Sequence, residues 1–328
     1  MVRSLTPQCT SQELGNVESI LTDETKRKKV VSNSFIHRLQ RKHFILFQIL
    51  PFLLTLVFLP LIPYLPFGKF EIFLFVLFWL ITGFGVSSGY HRLFTHRSYK
   101  THDAVQVILA ICGAMAGQGG VISWSALHRR HHELSDKLGD PHSPNLQGSS
   151  WLGRLRGLVH SHVTWMYKHE YPSVVHYVPD LIKNKTLLKV DRYYYLWAAL
   201  GFVLPTLLGG LYHWSLAGAL AGFIWGGVLR ILWGGHTIWS INSFLHCFGM
   251  KRFQTEEYSH NFALIALFTF GESWHNNHHA FPASASFGLE WYRLDPGYWF
   301  IQLLEVFHLA WDVKVPTTEK IQSRELNA

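Results

Sequence analysis

Long apolar stretches alternate with polar sections along this chain and predict its architecture. A helix needs about 20 apolar residues to cross the hydrocarbon core of a bilayer. Four stretches reach that length, and the last contains Arg230, which suggests a helix with one polar face turned inward. The predicted transmembrane helices are Phe44–Leu65, Phe70–Tyr90, Tyr193–Tyr212 and Leu216–Trp239.

The remaining segments are polar or only briefly apolar. Residues 1–34 lack apolar periodicity, which predicts a flexible tail, and residues 316–328 are interpreted as a second tail. Ala104–Leu127 is apolar but interrupted by glutamines and glycines, so we expect an interfacial or re-entrant helix rather than a span. The run Phe262–Phe270 is too short to cross and predicts a buried helix. Residues 35–315 are therefore interpreted as one integral-membrane domain.

The composition supports a membrane protein. Apolar residues make up 48% of the chain and charged residues 15%, against about 25% charged residues in soluble domains. The alternative, buried core helices of a large soluble protein, is disfavoured by the length of the apolar stretches. Three cysteines are too few for a disulfide framework. No basic stripe is interleaved with stacking aromatics outside the spans, so we expect no nucleic-acid partner.

Basic residues indicate the orientation. Seven Lys and Arg residues lie between positions 26 and 42, whereas the links 66–69 and 213–215 carry a single lysine. This asymmetry places the N-terminus in the cytoplasm. With four spans, both termini and the sections 91–192 and 240–315 are expected on the same side. The net charge of +8 also favours membrane lipids, an acidic electron donor or a phosphate-bearing substrate.

Histidines cluster at the ends of the predicted spans. In two clusters they are spaced i, i+3 and i+4, which places three rings on one helical face. In the other cluster, residues five apart lie about 140° around an ideal helix, so either the helix is distorted or the rings approach from different directions. Four residues separate Asn242 from His246 after the last span. The clusters are His91 and His96; His128, His131 and His132; and His275, His278 and His279.

Nine imidazoles exceed what one metal needs. Neutral imidazole is the most common metal ligand among side chains, and zinc sites use four or fewer protein ligands. Nine rings, with Asn242 holding a bound water, suit two metals of coordination number five or six. Iron is the leading candidate, because an all-nitrogen site with open positions suits oxygen activation. Glu272 and Asp140 are expected to accept the free ring N–H groups, unless they are ordinary surface carboxylates.

The order of the motifs carries further information. The chain reads His-Arg-Leu-Phe-Thr-His, His-Arg-Arg-His-His, Trp-x2-Asn-Ser-x2-His and Gly-Glu-Ser-Trp-His-Asn-Asn-His-His. This set resembles the membrane fatty-acyl desaturases of the stearoyl-CoA type, from about Ile36 to Val315. Asp140-Pro141-His142 and the run Trp274–Pro282 look most similar to bacterial and cyanobacterial Δ9 members.

The resemblance implies an all-α membrane protein, in which four transmembrane helices carry a helical cytoplasmic cap with a histidine-rich di-iron site. It implies an O2-dependent enzyme that inserts a cis double bond, at Δ9, into a saturated acyl chain carried as a thioester or an acyl lipid. The implied cofactors are two Fe2+ ions, with O2 as co-substrate. The implied ligands are His91, His96, His128, His131, His132, His246, His275, His278, His279 and, through a water, Asn242.

Three features depart from the animal relatives. His236 stands where they have Asn, which suggests an additional polar group beside the site. No His-Pro-Gly-Gly haem motif occurs in the chain, so electrons are expected from a separate donor, ferredoxin or cytochrome b5 with its reductase. The stretch Gln147–Val163 is longer here, which leaves open whether the acyl group arrives on coenzyme A, a carrier protein or a glycerolipid.

Two alternative functions are considered. A hydroxylase of lipids or alkanes would use a related histidine centre and return oxygen to the carbon. A histidine-lined metal transporter would need ligands near the bilayer midplane, whereas these histidines lie outside the predicted spans.

The resemblance also suggests where the acyl chain ends. In animal desaturases the acyl tunnel ends against the second span, three to four turns before the first motif histidine. Counting back from His91 gives Phe75 and Trp79, which share a helical face. The alternative is that both face lipid or a neighbouring helix.

Overall fold

Four long helices form the framework of the computed structural model, which describes residues 29–326. These helices, α1, α2, α8 and α9 in the order given below, are long and apolar enough to cross a membrane, and each contains all but at most one residue of a predicted span. The predicted all-α membrane fold is confirmed. The helices are α1 (Ser34–Tyr64), α2 (Lys69–Thr95), α3 (Asp103–Ala114), α4 (Val121–Leu134), α5 (Trp151–His162), α6 (Val174–Tyr177), α7 (Lys185–Arg192), α8 (Tyr194–His213), α9 (Leu216–His246), α10 (His275–Ala280), α11 (Pro296–Val306) and α12 (Thr318–Gln322).

Short elements complete the described part of the chain. Single 3-10 turns occur at Pro144–Leu146, Thr164–Tyr167, Leu181–Lys183 and Ala263–Ile265. Two antiparallel pairs of two-residue strands join distant segments: β1 (Val30–Val31) with β3 (Tyr171–Pro172), and β2 (Lys100–Thr101) with β4 (Ala310–Trp311).

The long helices form two hairpins with tight turns. Between α1 and α2, the side chain of Glu71 accepts the backbone N–H of Gly68 at 2.8 Å and caps the second helix. Between α8 and α9, Trp214 takes a left-handed conformation with φ of 48°. A Cβ on Gly209 would lie 2.3 Å from the backbone oxygen of Gly218, so glycine allows these helices to touch. The hairpins bring the start of α1 and the end of α2 to the same side as the start of α8 and the end of α9.

Arg230 lies on the inner face of α9 and is 1% exposed. Its guanidinium donates to the backbone oxygens of Gly226, Met115 and Gly201 at 2.6–3.1 Å. Backbone carbonyls from three segments thus accept hydrogen bonds from a charged group that lipid tails could not pair with. This agrees with the predicted inward polar face.

The apolar segment before the second histidine cluster contains no helix long enough to cross a membrane. It folds as two helices, α3 and α4, rather than one. Gly117 and Gly119 separate them with φ of 69° and 101°, values that glycine adopts without strain. A Cβ on Gly85 of α2 would lie 2.2 Å from the backbone nitrogen of Gly113, so α3 packs directly on the second long helix.

Part of each predicted tail belongs to the fold that the structure describes. Residues 1–28 lie outside the described part of the chain, but β1 pairs with β3 and Asn33 caps α1 by accepting the backbone N–H of Ile36 at 2.9 Å. At the other end, α12 is docked because Ile321 is buried with Phe253 and Phe281. Residues 29–33 and 316–326 are therefore parts of the fold, and residues 327–328 are outside the described range.

The prediction of a buried helix at Phe262–Phe270 is wrong. Only Ala263–Ile265 forms a 3-10 turn, and further turns follow up to Ser273. Phe270 takes a φ of 55° and Gly271 a φ of 86°, which is incompatible with a continuing right-handed helix. Ala266 and Phe270 point inward, whereas Leu264 is 80% exposed.

Candidate metal centre

The nine predicted histidine ligands converge at the shared end of the four long helices. They form two groups, and within each group one nitrogen per ring lies within 4.8 Å of all the others. The five-histidine group contains His91, His96, His128, His132 and His278. The four-histidine group contains His131, His246, His275 and His279.

The local winding of the helix explains how His91 and His96 come close together. Gly85–Thr95 is wound as a π-helix, in which hydrogen bonds join residues five apart. The backbone N–H of His96 accordingly donates to the backbone oxygen of His91 at 3.1 Å. The two ring centroids lie 4.9 Å apart. Of the two possibilities that the sequence left open, distortion of the helix end is the one observed.

The second and third clusters interlock. His128 and His132, four apart on α4, belong to the five-histidine group, whereas His131 between them belongs to the four-histidine group. On α10 the division is reversed, because His275 and His279 enter the four-histidine group and His278 enters the other. Two short helices thus contribute to both groups, which holds the groups side by side.

The distances within each group fit metal coordination. Nε2 atoms lie 3.0 Å apart in His91 and His278, and 2.9 Å apart in His246 and His275. Imidazole nitrogens bind first-row metals at about 2.0–2.1 Å, so two ligands at right angles would lie about 3.0 Å apart. The Nε2 atoms of His96 and His131 are buried without a hydrogen-bond partner among residues 29–326. A bound metal would satisfy these atoms.

Carboxylates orient several of these rings from behind. The Nδ1 atom of His91 pairs with Glu272, and that of His131 lies 3.0 Å from Asp140. Such contacts fix the tautomer and leave Nε2 free for a metal. The structure thus brings both carboxylates that the sequence singled out to the histidines.

Sequence reasoning missed two further carboxylates. Asp136 lies 2.8 Å from Nδ1 of His246, and Glu257 lies 3.7 Å from Nδ1 of His279. Both are in loops. In the sequence, Asp136 could have been singled out only because it lies four residues before Asp140, with Gly139 between them. No spacing in the sequence indicated Glu257.

Burial sets the protonation of the site. It lowers the pKa of several of these histidines well below the ordinary value, and the neighbouring imidazoles lower it further, so those rings are neutral near pH 7 and able to bind metal. Burial works against ionisation of Asp140, but the neighbouring His131 holds the pKa of this carboxyl well below its usual range. The histidines with strongly lowered pKa outside the spans include His128, His132, His275, His278 and His279.

His236 is placed differently from the prediction. Its Nδ1 atom lies 3.0 Å from Nε2 of His162, and its ring contacts Trp239. The ring is exposed and pairs with α5 rather than with the histidine groups.

Two cavities meet at the histidines. The mouth cavity, about 580 Å3, runs between α1, the segment 165–174 and the start of α8. The distal cavity, about 70 Å3, runs between α2 and α9. Four residues line both: Trp124, His128, Ile238 and Asn242.

The two residues that were expected to end the acyl tunnel have different surroundings in the structure. Trp79 lines the distal cavity and contacts Phe270, with ring centroids 4.9 Å apart. Phe75 is half-buried on the same helix and is not among the residues that line this cavity.

Comparison with known proteins identifies the family. The fatty acid desaturase family model matches residues 69–303. This range includes the nine histidines and the four residues that line both cavities. The chain belongs to the fatty acid desaturase family. The expected membership is confirmed, and the desaturase family makes the chain an oxidoreductase that acts on fatty acyl chains.

Relatives of this desaturase family member act on different substrates. A hex-5-enoyl-[acyl-carrier protein] acetylenase of Moorena producens (strain JHB) is 46% identical over 305 residues, 92% of this chain and 95% of the relative. An sn-1 stearoyl-lipid 9-desaturase of Anabaena variabilis is 37% identical over 243 residues, 73% and 82% of the two chains. An acyl-CoA 5-desaturase of Anemone leveillei is 36% identical over 234 residues, 71% and 68%.

Proposed function

We propose that this desaturase family member removes two hydrogens from neighbouring carbons of an acyl chain, with O2 as oxidant and two Fe2+ ions as cofactors. The observation that supports this most is the pair of histidine groups at the junction of two cavities. The proposed ligands are the nine histidines of these groups, with Asn242 holding a metal-bound water.

The reaction balances with an external electron donor. A –CH2–CH2– unit, O2, two electrons and two protons give –CH=CH– and two water molecules. When bound, the iron ions supply the oxygen-activating redox chemistry that protein side chains lack. The donor is a separate protein, ferredoxin or cytochrome b5 with its reductase.

The protein's own part is to bind, orient and exclude water. Carboxylates at Nδ1 hold the rings with Nε2 facing inward. Apolar residues of the distal cavity, among them Val86, Ile231 and Phe270, would surround the methyl end of the chain and keep it dry. An acyl chain that runs from the mouth cavity into the distal cavity would pass His128 and Asn242, which line both.

The position of the new double bond is proposed as Δ9. The Anabaena relative is named a 9-desaturase, and the Anemone relative is named a 5-desaturase. The Moorena relative is named an acetylenase, and this name favours a second candidate, removal of two hydrogens from an existing double bond to give a triple bond. The same metal site would serve both reactions.

The orientation in the membrane is also a proposal. Basic residues near the start of α1 favour a cytoplasmic N-terminus, and the two hairpins then place both ends of the described chain and the histidines on that side. A metal transporter is disfavoured, since the histidines cluster at the ends of the long helices rather than midway.

The fatty-acid profile of a desaturase-deficient host carrying this chain tests the reaction. We expect new unsaturated chains, with the bond at Δ9 established by derivatisation and mass spectrometry. Hydroxylated products would indicate the hydroxylase alternative, and an unchanged profile with full iron content would contradict the proposal.

A purified assay tests the electron supply. Turnover should require a small redox protein together with its reductase. Activity with NAD(P)H and reductase alone would contradict a separate donor protein.

A further inference from the structure

Helix α5 (Trp151–His162) turns its small residues toward the protein and its large apolar residues outward. A Cβ on Gly157 would lie 1.9 Å from the backbone oxygen of Pro144, so the small-residue face packs directly on the segment before the helix. Exposed apolar residues that are grouped on one face mark a surface that contacts a membrane or another molecule. The apolar stripe of α5, whose side chains are between 39% and 77% exposed, consists of Trp151, Leu152, Leu155 and Val159.

Two arginines flank this apolar stripe. An α-helix turns by about 100° per residue, so the four apolar residues cover about 100° of its circumference, and Arg154 and Arg156 lie just beyond the two edges. Both arginines are exposed, and neither guanidinium pairs with a carboxylate within residues 29–326. An apolar face with basic residues at its edges is typical of a helix that lies in the plane of a membrane surface.

The end of α5 lies against α9, where the apolar stretch of that long helix ends. Nε2 of His162 lies 3.0 Å from Nδ1 of His236, which belongs to this stretch, and Nδ1 of His162 lies 2.9 Å from Oγ of Ser243, which follows it. His162 comes two turns after Leu155 and therefore lies on the same face of α5 as the apolar stripe. Its ring contacts Phe244, which is itself exposed on α9. The apolar stripe is thus continuous with the outer surface of a helix that crosses the membrane.

A surface cavity of about 430 Å3 lies beside the apolar stripe. Arg156 brings a positive charge to it, and Leu155 and Val159 of the stripe line the same cavity. A guanidinium forms strong, charge-assisted hydrogen bonds with a phosphate group. A phosphate that is joined to an apolar chain matches this combination, and anionic lipids attract basic residues at a membrane surface. The cavity is also lined by the polar residues Gln147, His160 and Thr164.

We infer that α5 lies in the headgroup layer of the bilayer, on the side of the histidines, with the apolar stripe among the acyl chains and Arg156 on the phosphate of an anionic phospholipid. A free phosphate ion would leave the stripe uncovered, whereas a bilayer lipid covers the stripe and pairs with the charge. The cavity shares no lining residue with the mouth cavity within residues 29–326, so this lipid is distinct from the acyl substrate. The inference depends on the membrane fold and not on the proposed reaction.

The depth of α5 is tested with a nitroxide label in the full-length protein, reconstituted in bilayers of phosphatidylcholine and phosphatidylglycerol. A label on Leu155→Cys should collide often with O2, which concentrates in lipid, and seldom with a water-soluble nickel chelate. Leu138→Cys is the matched control, because Leu138 is 89% exposed next to the exposed ion pair of Lys137 with Glu256, and its label should show the reverse. Equal access of the nickel chelate to both labels would overturn the inference and leave α5 free for a protein partner. Both labels are placed in a background that carries Cys9→Ala, Cys112→Ala and Cys247→Ala.

The lipid contact of Arg156 is tested by native mass spectrometry, in which phosphatidylglycerol is titrated into the detergent-solubilised protein. Arg156→Gln should weaken binding of the first phosphatidylglycerol about 5-fold, the contribution of one basic residue near an anionic membrane surface. Lys320→Gln removes one positive charge from the exposed face of α12 and should leave lipid binding unchanged. Melting temperatures without added lipid should be the same for both variants and the wild type.

Three results of the titration would overturn the inference. These are unchanged lipid binding in Arg156→Gln, an equal loss in Lys320→Gln, and displacement of phosphatidylglycerol by an equal concentration of inorganic phosphate, which would indicate a site for the phosphate alone. None of them bears on desaturation, because neither experiment measures turnover.

Discussion

The two histidine groups differ in how they are built. Within residues 29–326, the five-histidine group has one carboxylate behind its rings, Glu272 on His91. The four-histidine group has one ring fewer but three carboxylates, Asp140, Asp136 and Glu257. The five-histidine group therefore offers more imidazole ligands, whereas the four-histidine group has more negative charge around it.

This difference suggests unequal metal sites. A carboxylate that accepts the Nδ1 proton makes the imidazole a more basic ligand. Two such contacts, those of Asp140 and Asp136, lie in the four-histidine group, and Glu257 adds negative charge nearby. Asn242 lines both cavities, where a water could complete the coordination. We therefore expect two metals in inequivalent surroundings rather than two copies of one site.

The largest effect is expected from removing one ring of either group. His131→Ala and His278→Ala should each lower activity more than about 100-fold, since loss of a mere hydrogen-bond partner of a ligand already costs about 10- to 100-fold. Elemental analysis should show a fall from about two irons per chain to about one. His236→Ala is the matched control, because this ring lies outside both groups, and it should keep iron and activity. Near-normal activity in either ligand variant would contradict the shared centre.

Neutralising the carboxylates should separate the two groups. Asp136→Asn and Glu257→Gln keep the side-chain size and remove the charge, so activity should fall about 10- to 100-fold. Timed release of iron to a chelator should become biphasic, with one iron leaving early. Glu272→Gln should destabilise the iron of the five-histidine group instead. If all three variants release both irons together, the groups do not act as separate sites.

A smaller effect is expected in the distal cavity. Trp79→Ala removes a ring that lines the cavity, so the product distribution should move toward longer chains, because each further buried CH2 gains about 0.8 kcal/mol. Phe75→Ala, one turn away on α2, is the control and should leave product lengths unchanged. The measurement is the fatty-acid profile of cells that express each variant. An unchanged distribution with Trp79→Ala would remove this residue from the tunnel.

The smallest effect concerns the donor. The net charge of +8 favours an acidic electron donor, so the rate should fall as salt rises, since the Debye length is about 8 Å at 0.15 M. Steady-state rates at several salt concentrations check this. If the rate falls equally steeply with salt concentration when the donor is saturating, salt acts on a step other than donor binding.

Composition and spacing predicted the framework, but not the contacts across it. The four spans followed from apolar length, and the helical positions of His131 and His278 followed from their spacing. Docking of residues 316–326 was missed, since it depends on Ile321 meeting two phenylalanines from distant segments. Asp136 and Glu257 were missed because a loop carboxylate has no periodicity that shows which ring it will meet.

Mössbauer spectroscopy of protein loaded with isotopically enriched iron, with iron quantified on the same sample, tests the unequal two-metal centre most directly. We expect about two irons per chain and two quadrupole doublets of equal area, and Asp136→Asn should alter only one of them. One iron per chain, or a single doublet from both irons, would contradict it.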